Sequence, residues 1–145
     1  MGSTEGLIVV VEDDEDDVAL LKRAFRKVEV VNPVVFLADG DEAVAYLDGK
    51  GPYANRDEHP LPMLILLDLK LPRRSGLEVL EWIRERPALN PVTVVVLTSS
   101  RQASDLGRAY ELGVTSYLVK PVAFDSLLDL IRTLKLYWIH YNEKP

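Results

Sequence analysis

Four groups of polar residues follow directly on short aliphatic runs: Glu12, Asp13 and Asp14 after Leu7–Val11, Asp68 after Met63–Leu67, Thr98, Ser99 and Ser100 after Val92–Leu97, and Lys120 with Pro121 after Ser116–Val119. If the four runs are neighbouring strands, these groups meet on one rim. Carboxylates converging on a small volume repel one another, and a hard, oxygen-seeking cation such as Mg²⁺ is the usual remedy. A carboxylate bound to such an ion can attack phosphorus while the metal, an ammonium and a hydroxyl share the charge on the phosphoryl oxygens. Asp68, Lys120 and Thr98 are of the types those roles need. Taken singly, each group has a plainer use. Residues 13 to 17 also suit the acidic first turn of a helix, Thr98, Ser99 and Ser100 suit a helix start, and Asp68 and Lys120 suit turns. Their joint placement after four different apolar runs favours chemistry. His59 and His140 have no ligand-type neighbour at metal spacing and read as loop and surface residues.

The elements that must position these groups follow from the apolar pattern. The three strong runs are apolar at nearly every position without alternation, as in strands covered on both faces of a parallel sheet, and two weaker candidate strands lie at Val34–Leu37 and Ser116–Val119. Helical spacing lies between them: Val18, Leu21, Phe25 and Val28; Ala43, Val44 and Leu47; Val79, Leu80 and Ile83; Leu106, Ala109 and Tyr110. Five β–α repeats predict an α/β, doubly wound, five-stranded parallel sheet of order 2-1-3-4-5, with its site beyond the carboxyl ends of the strands. Gly49 to Pro62 reads as a long exposed loop.

The chain of 145 residues, 48% hydrophobic, suits one domain, 1–145, with no room for a fused output module. It has no cysteine, no apolar run near membrane-spanning length and no leader pattern, which predicts a cytoplasmic location without a membrane. A formal charge of −6 with few clustered cations argues against nucleic acid.

The ordered set VVVEDD, LLDLKLPRRSG, VVLTSS and SYLVKP resembles the receiver domain of bacterial two-component response regulators, across essentially the whole chain. The resemblance implies the flavodoxin-like receiver fold and a signalling switch rather than an enzyme: Asp68 as phosphoacceptor from a sensor histidine kinase, Glu12 and Asp13 as acidic pair, Lys120 as phosphate-binding lysine, Thr98 as switch hydroxyl and Tyr117 as switch aromatic. It further implies Mg²⁺ held by Asp13, Asp68 and the backbone carbonyl of Lys70, with Glu12 acting through water, and a cis Lys120–Pro121 peptide. Phosphorylation would draw Thr98 toward Asp68 and let Tyr117 turn inward. The loop GPYANRDEHP, the segment AYELGVTSYLVK and the terminal LKLYWIHY resemble, within the family, the single-domain regulators that partner phytochrome-type kinases. Lys70 departs from the family, where a small or amide residue often follows two after the phosphoacceptor; its side chain is expected to pair with Glu12. The alternative is an aspartyl-phosphate phosphohydrolase of related architecture, but such enzymes want a second acid at that place. A nucleotide-binding module lacks its glycine-rich phosphate loop here.

From Phe124 to Tyr141 the chain holds more apolar residues than one core stripe requires. Phe124, Leu127, Ile131, Leu134 and Trp138 form the inward stripe, leaving Leu130, Leu136, Tyr137, Ile139 and Tyr141 for another chain. Residues 136–145 are thus expected to extend the terminal helix into a homodimer contact.

Overall fold

A computed structural model describes residues 6–136. Five strands, β1 (Ile8–Val11), β2 (Val34–Leu37), β3 (Leu64–Leu67), β4 (Thr93–Thr98) and β5 (Ser116–Val119), alternate with five helices, α1 (Glu15–Lys27), α2 (Gly40–Asp48), α3 (Gly76–Arg84), α4 (Ala103–Glu111) and α5 (Phe124–Leu134). All pairings are parallel and the order is β2-β1-β3-β4-β5, as expected.

The missing alternation has its explanation in two cores. Val9, Val11, Ile65, Leu67, Val94 and Val96 pack with α2, α3 and α4 on one face. Ile8, Val10, Leu64, Leu66, Val95 and Leu97 pack with α1 and α5 on the other. The side chains of β1 and β3 are therefore all apolar whichever way they point. Register aligns the polar groups: Val11 stands opposite Leu67, and Thr98 opposite Val119, so Glu12, Asp68 and Lys120 each leave the sheet beside Thr98.

Local chemistry starts three helices where the strands hand over. Asp14 caps α1 by accepting from the Asp17 N–H, Asp39 caps α2, and Ser75 with Glu78 forms a capping box on α3. The start of α3 also requires glycine. A Cβ on Gly76 would overlap the carbonyl oxygen of Asp68 and stand 2.6 Å from the Cα of Leu69. Backbone cannot yield as a flexible side chain would. Gly76→Ala is therefore expected to cost about 3 kcal/mol, read as a lower urea midpoint at unchanged slope; an unchanged midpoint would show that α3 can move away freely.

Three details differ from the apolar pattern. On α4 only Ala109 is buried, while Leu106 and Tyr110 are exposed, because that helix rests on the sheet through Ala109. On α2 the inward face includes Tyr46, whose hydroxyl donates to the carbonyl of Pro60. On α5 Leu128 is buried and Leu130 half-buried against the same core, so Leu130 is not free for another chain; Leu136 is exposed. Tyr137, Trp138, Ile139 and Tyr141 lie outside the described residues.

The long loop is pinned rather than loose. Arg56 donates to the carbonyls of Tyr46, Leu47 and His59, and Tyr53 donates to Glu42. Burial and the Glu42 carboxylate push the Tyr53 hydroxyl up to about 12. His59 sits edge-on to Tyr46 and Tyr53, a packing role.

Candidate functional site

The rim at the carboxyl ends of β1, β3, β4 and β5 brings together Glu12, Asp13, Asp68, Thr98 and Lys120. Asp68 is buried, and both its oxygens are engaged. Oδ1 accepts from Thr98 Oγ1 at 2.6 Å and from the Lys70 N–H at 3.2 Å; Oδ2 accepts from Lys120 Nζ at 3.0 Å. Glu12, 3% exposed, accepts from the Asp14 N–H at 3.0 Å and meets Lys120 Nζ. Asp13 is exposed.

Two titrations are shifted. Burial raises Glu12 above the usual carboxylate range, against the opposing pull of Lys120 and the Asp14 N–H. For Lys120 burial disfavours the ammonium, but hydrogen bonds to Asp17, Glu12 and Asp68 outweigh it and hold the group above the ordinary lysine value. The lysine is thus a fixed cation among carboxylates, suited to meeting an anionic oxygen.

Oxygens of Glu12, Asp13 and Asp68 lie within 4.8 Å of one another. An all-oxygen, anionic set of this size fits a hard divalent cation and not a thiolate- or imidazole-seeking metal. Lys120 already neutralises part of the cluster, leaving Asp13 exposed to complete a cation's shell.

Thr98 and Tyr117 both reach toward the rim. The Thr98 hydroxyl is already on Asp68, and the half-buried Tyr117 packs on the core and donates from its hydroxyl to the carbonyl of Ser100 at 3.1 Å. Ser100 ties the two together. Its N–H donates to Thr98 Oγ1 at 3.3 Å, and its hydroxyl donates to Asp105 at 2.6 Å near the start of α4.

Two expectations are corrected. Lys70 is exposed, and the cation that reaches Glu12 is Lys120, whose side chain crosses from the end of β5 although β3 is the strand next to β1. The Lys120–Pro121 peptide is trans. Trans is favoured by about 0.5–1 kcal/mol even before proline, and the four-carbon stem of Lys120 reaches the carboxylates from it. Asp17 was not singled out by the sequence, yet it contacts Lys120 at 2.8 Å. The available signal was its place three residues after the Asp14 cap, one turn into α1.

The chain matches the response regulator receiver domain over residues 8–132. It is similar to the response regulator Rcp1 of Synechocystis, 36% identical with 96% of this chain and 92% of the relative covered. It is also similar to a probable methanogenesis regulatory protein, FilR2, of Methanothrix harundinacea, 38% identical with 96% and 87% covered. Among solved structures, that of a phosphorylated cyanobacterial phytochrome response regulator, RcpA, superposes with a TM-score of 0.87 at 36% identity, covering 94% of this chain and 96% of that one. The Mn(2+)-bound form of response regulator Rcp1 gives 0.86 at 34%, covering 97% and 99%.

Proposed function

Because this chain belongs to the response regulator receiver family, we propose that it is a phosphorelay switch whose Asp68 accepts a phosphoryl group from a sensor histidine kinase. One observation carries the assignment of Asp68. Its buried carboxylate is at once a member of the cation-binding cluster and the partner of Thr98 Oγ1 at 2.6 Å and Lys120 Nζ at 3.0 Å. An Asp68 oxygen forms a bond to phosphorus as the phosphorus–nitrogen bond of the phosphohistidine breaks, and the leaving imidazole nitrogen takes a proton from solvent. Lys120 turns from Asp68 to one phosphoryl oxygen and Thr98 to another. Asp13, Asp68 and the Lys70 carbonyl would hold Mg²⁺, with Glu12 acting through water, and the ion would supply charge neutralisation at the phosphoryl group. Autodephosphorylation uses the same groups with water.

The kinase is of the phytochrome type, a reading supported by RcpA being a phytochrome response regulator. No described helix is long and apolar enough to cross a membrane, and the switch works in the cytoplasm, without nucleic acid. The phosphohydrolase alternative gains nothing from the structure, since position 70 offers an exposed lysine in place of a second acid. The test is beryllofluoride, a tetrahedral phosphoryl mimic. Binding at Asp68 should require Mg²⁺ and move the Thr98 and Lys120 amide resonances; binding without a divalent ion, or none with it, would sink the assignment.

Residues 136–145 serve a homodimer. The exposed Leu136 at the end of the described chain, 54% accessible, supports this. Ending the chain after Leu136, or placing charges at Tyr137 and Ile139, should give a folded monomer, with association weakened by about one to three orders of magnitude. Sedimentation at matched micromolar concentration checks it, and a monomeric parent with and without beryllofluoride would refute it.

A further inference from the structure

An ammonium has three N–H donors, and three carboxylates surround that of Lys120: Glu12, Asp17 at 2.8 Å and Asp68 at 3.0 Å. The three are not equivalent. Glu12 and Asp68 are buried members of the cation-binding cluster, whereas Asp17 is outside that cluster and its side chain is 34% exposed. Two acids therefore pull the lysine inward, toward oxygens a divalent ion would use, and one pulls it outward along α1. Asp17 is itself fixed in place, because its N–H donates to the capping carboxylate of Asp14 at 3.0 Å.

We propose that Asp17 is a positioning residue, which gives the Lys120 ammonium an outward acceptor beside its contacts with Glu12 and Asp68 and so keeps it poised to leave Asp68 for a phosphoryl oxygen. The inference rests on the reading of Asp68 as phosphoacceptor. When a phosphoryl group arrives, Lys120 exchanges one acceptor, Asp68 Oδ2 for a phosphoryl oxygen, and pivots on Asp17. With Asp17 removed, the ammonium is left with Glu12 and Asp68 alone and has no outward partner to pivot on during that exchange.

The test compares parent, Asp17→Asn and Asp17→Ala, with acetyl phosphate and Mg²⁺, so that no kinase contact on α1 enters. An amide oxygen still accepts an N–H but carries no charge. The initial rate of phosphorylation should fall about threefold in Asp17→Asn and about tenfold in Asp17→Ala. A mere charge effect has the opposite sign, since deleting an anion favours an anionic donor, and it would act equally in both variants. The second readout is the Lys120 ammonium proton resonance in metal-free protein. It should be protected from exchange in the parent, weaker in Asp17→Asn and lost in Asp17→Ala. Rates at or above the parent's in Asp17→Ala, or an unchanged ammonium signal, would overturn the proposal while leaving Asp68 intact. A parent that takes no phosphoryl group in the same assay would remove the assignment of Asp68 and this inference together.

Discussion

Asp68→Asn is expected to fold normally and to take up no phosphoryl group. The amide is nearly isosteric with the carboxylate, and its oxygen can still accept from Lys120 Nζ, which lies 3.0 Å from Oδ2 in the parent. The Thr98 hydroxyl, now 2.6 Å from Oδ1, can turn to accept from the amide nitrogen. The pocket therefore keeps its two side-chain partners, giving up the 3.2 Å bond from the Lys70 N–H, while losing its proposed nucleophile, since an amide oxygen does not form an acyl phosphate. Transfer should drop by at least about a thousandfold, the scale on which removal of a covalent nucleophile acts. Intact-mass measurement after incubation with acetyl phosphate and Mg²⁺ decides it, alongside a melting curve showing a cooperative transition. Stoichiometric modification of the variant would mean that another residue is the acceptor.

Lys120→Ala is expected to carry the largest stability effect. Its ammonium is the cation nearest two carboxylates that are 3% and 5% exposed, Glu12 and Asp68. Taking one partner out of a buried ion pair costs about 3–5 kcal/mol because the remaining charge stays desolvated. The loss should depend on pH with a definite sign. Glu12 already titrates above its unfolded value of 4.5 because it is buried, so the folded state holds that proton more tightly. A raised group favours folding below its unfolded value and loses that contribution as pH rises through the folded one. Without Lys120, Glu12 rises further, so the deficit should be greatest near neutral pH and smaller near pH 5. Lys120 is also raised above its unfolded value, so in the parent its contribution persists throughout that interval and fades only above about pH 10.5. Mg²⁺ should still bind and narrow the gap, while phosphorylation is lost. Urea titrations at the two pH values, with and without Mg²⁺, give the answer. An equal deficit at both would contradict the assignment of Glu12 as the carboxylate left uncompensated.

How far these features were legible in the sequence depended on how many contacts each residue's position owes to its neighbours in the chain. The strands were legible because burial on both faces leaves nothing but apolar side chains, as in Leu64–Leu67. The site residues were legible because parallel register carries Glu12, Asp68, Thr98 and Lys120 to one edge, which is a consequence of strand order alone. Side-chain pairing was not. Whether Lys70 or Lys120 meets Glu12 depends on which way two long stems turn, and periodicity does not encode it. Asp17 reads as one acid among several along the chain, and only the fold brings it to Lys120. Spacing on α4 marked Leu106 and Tyr110 as inward, yet the shallow seat of that helix on Ala109 leaves both exposed. Similarly, nothing local in the loop after α2 indicates that Arg56 will reach back to the carbonyls of Tyr46 and Leu47, since the pairing spans nine and ten residues.

The central claim is that Asp68 receives a phosphoryl group from phosphohistidine with Lys120 and Thr98 in attendance. Its most direct measurement is transfer from ³²P-labelled phytochrome-type histidine kinases of the same organism, in Mg²⁺ and in chelator, followed by mapping of the modified residue. Label should leave a kinase, appear on this chain only when Mg²⁺ is present, and map to Asp68. Label on another residue, or transfer undiminished in chelator, would contradict the account.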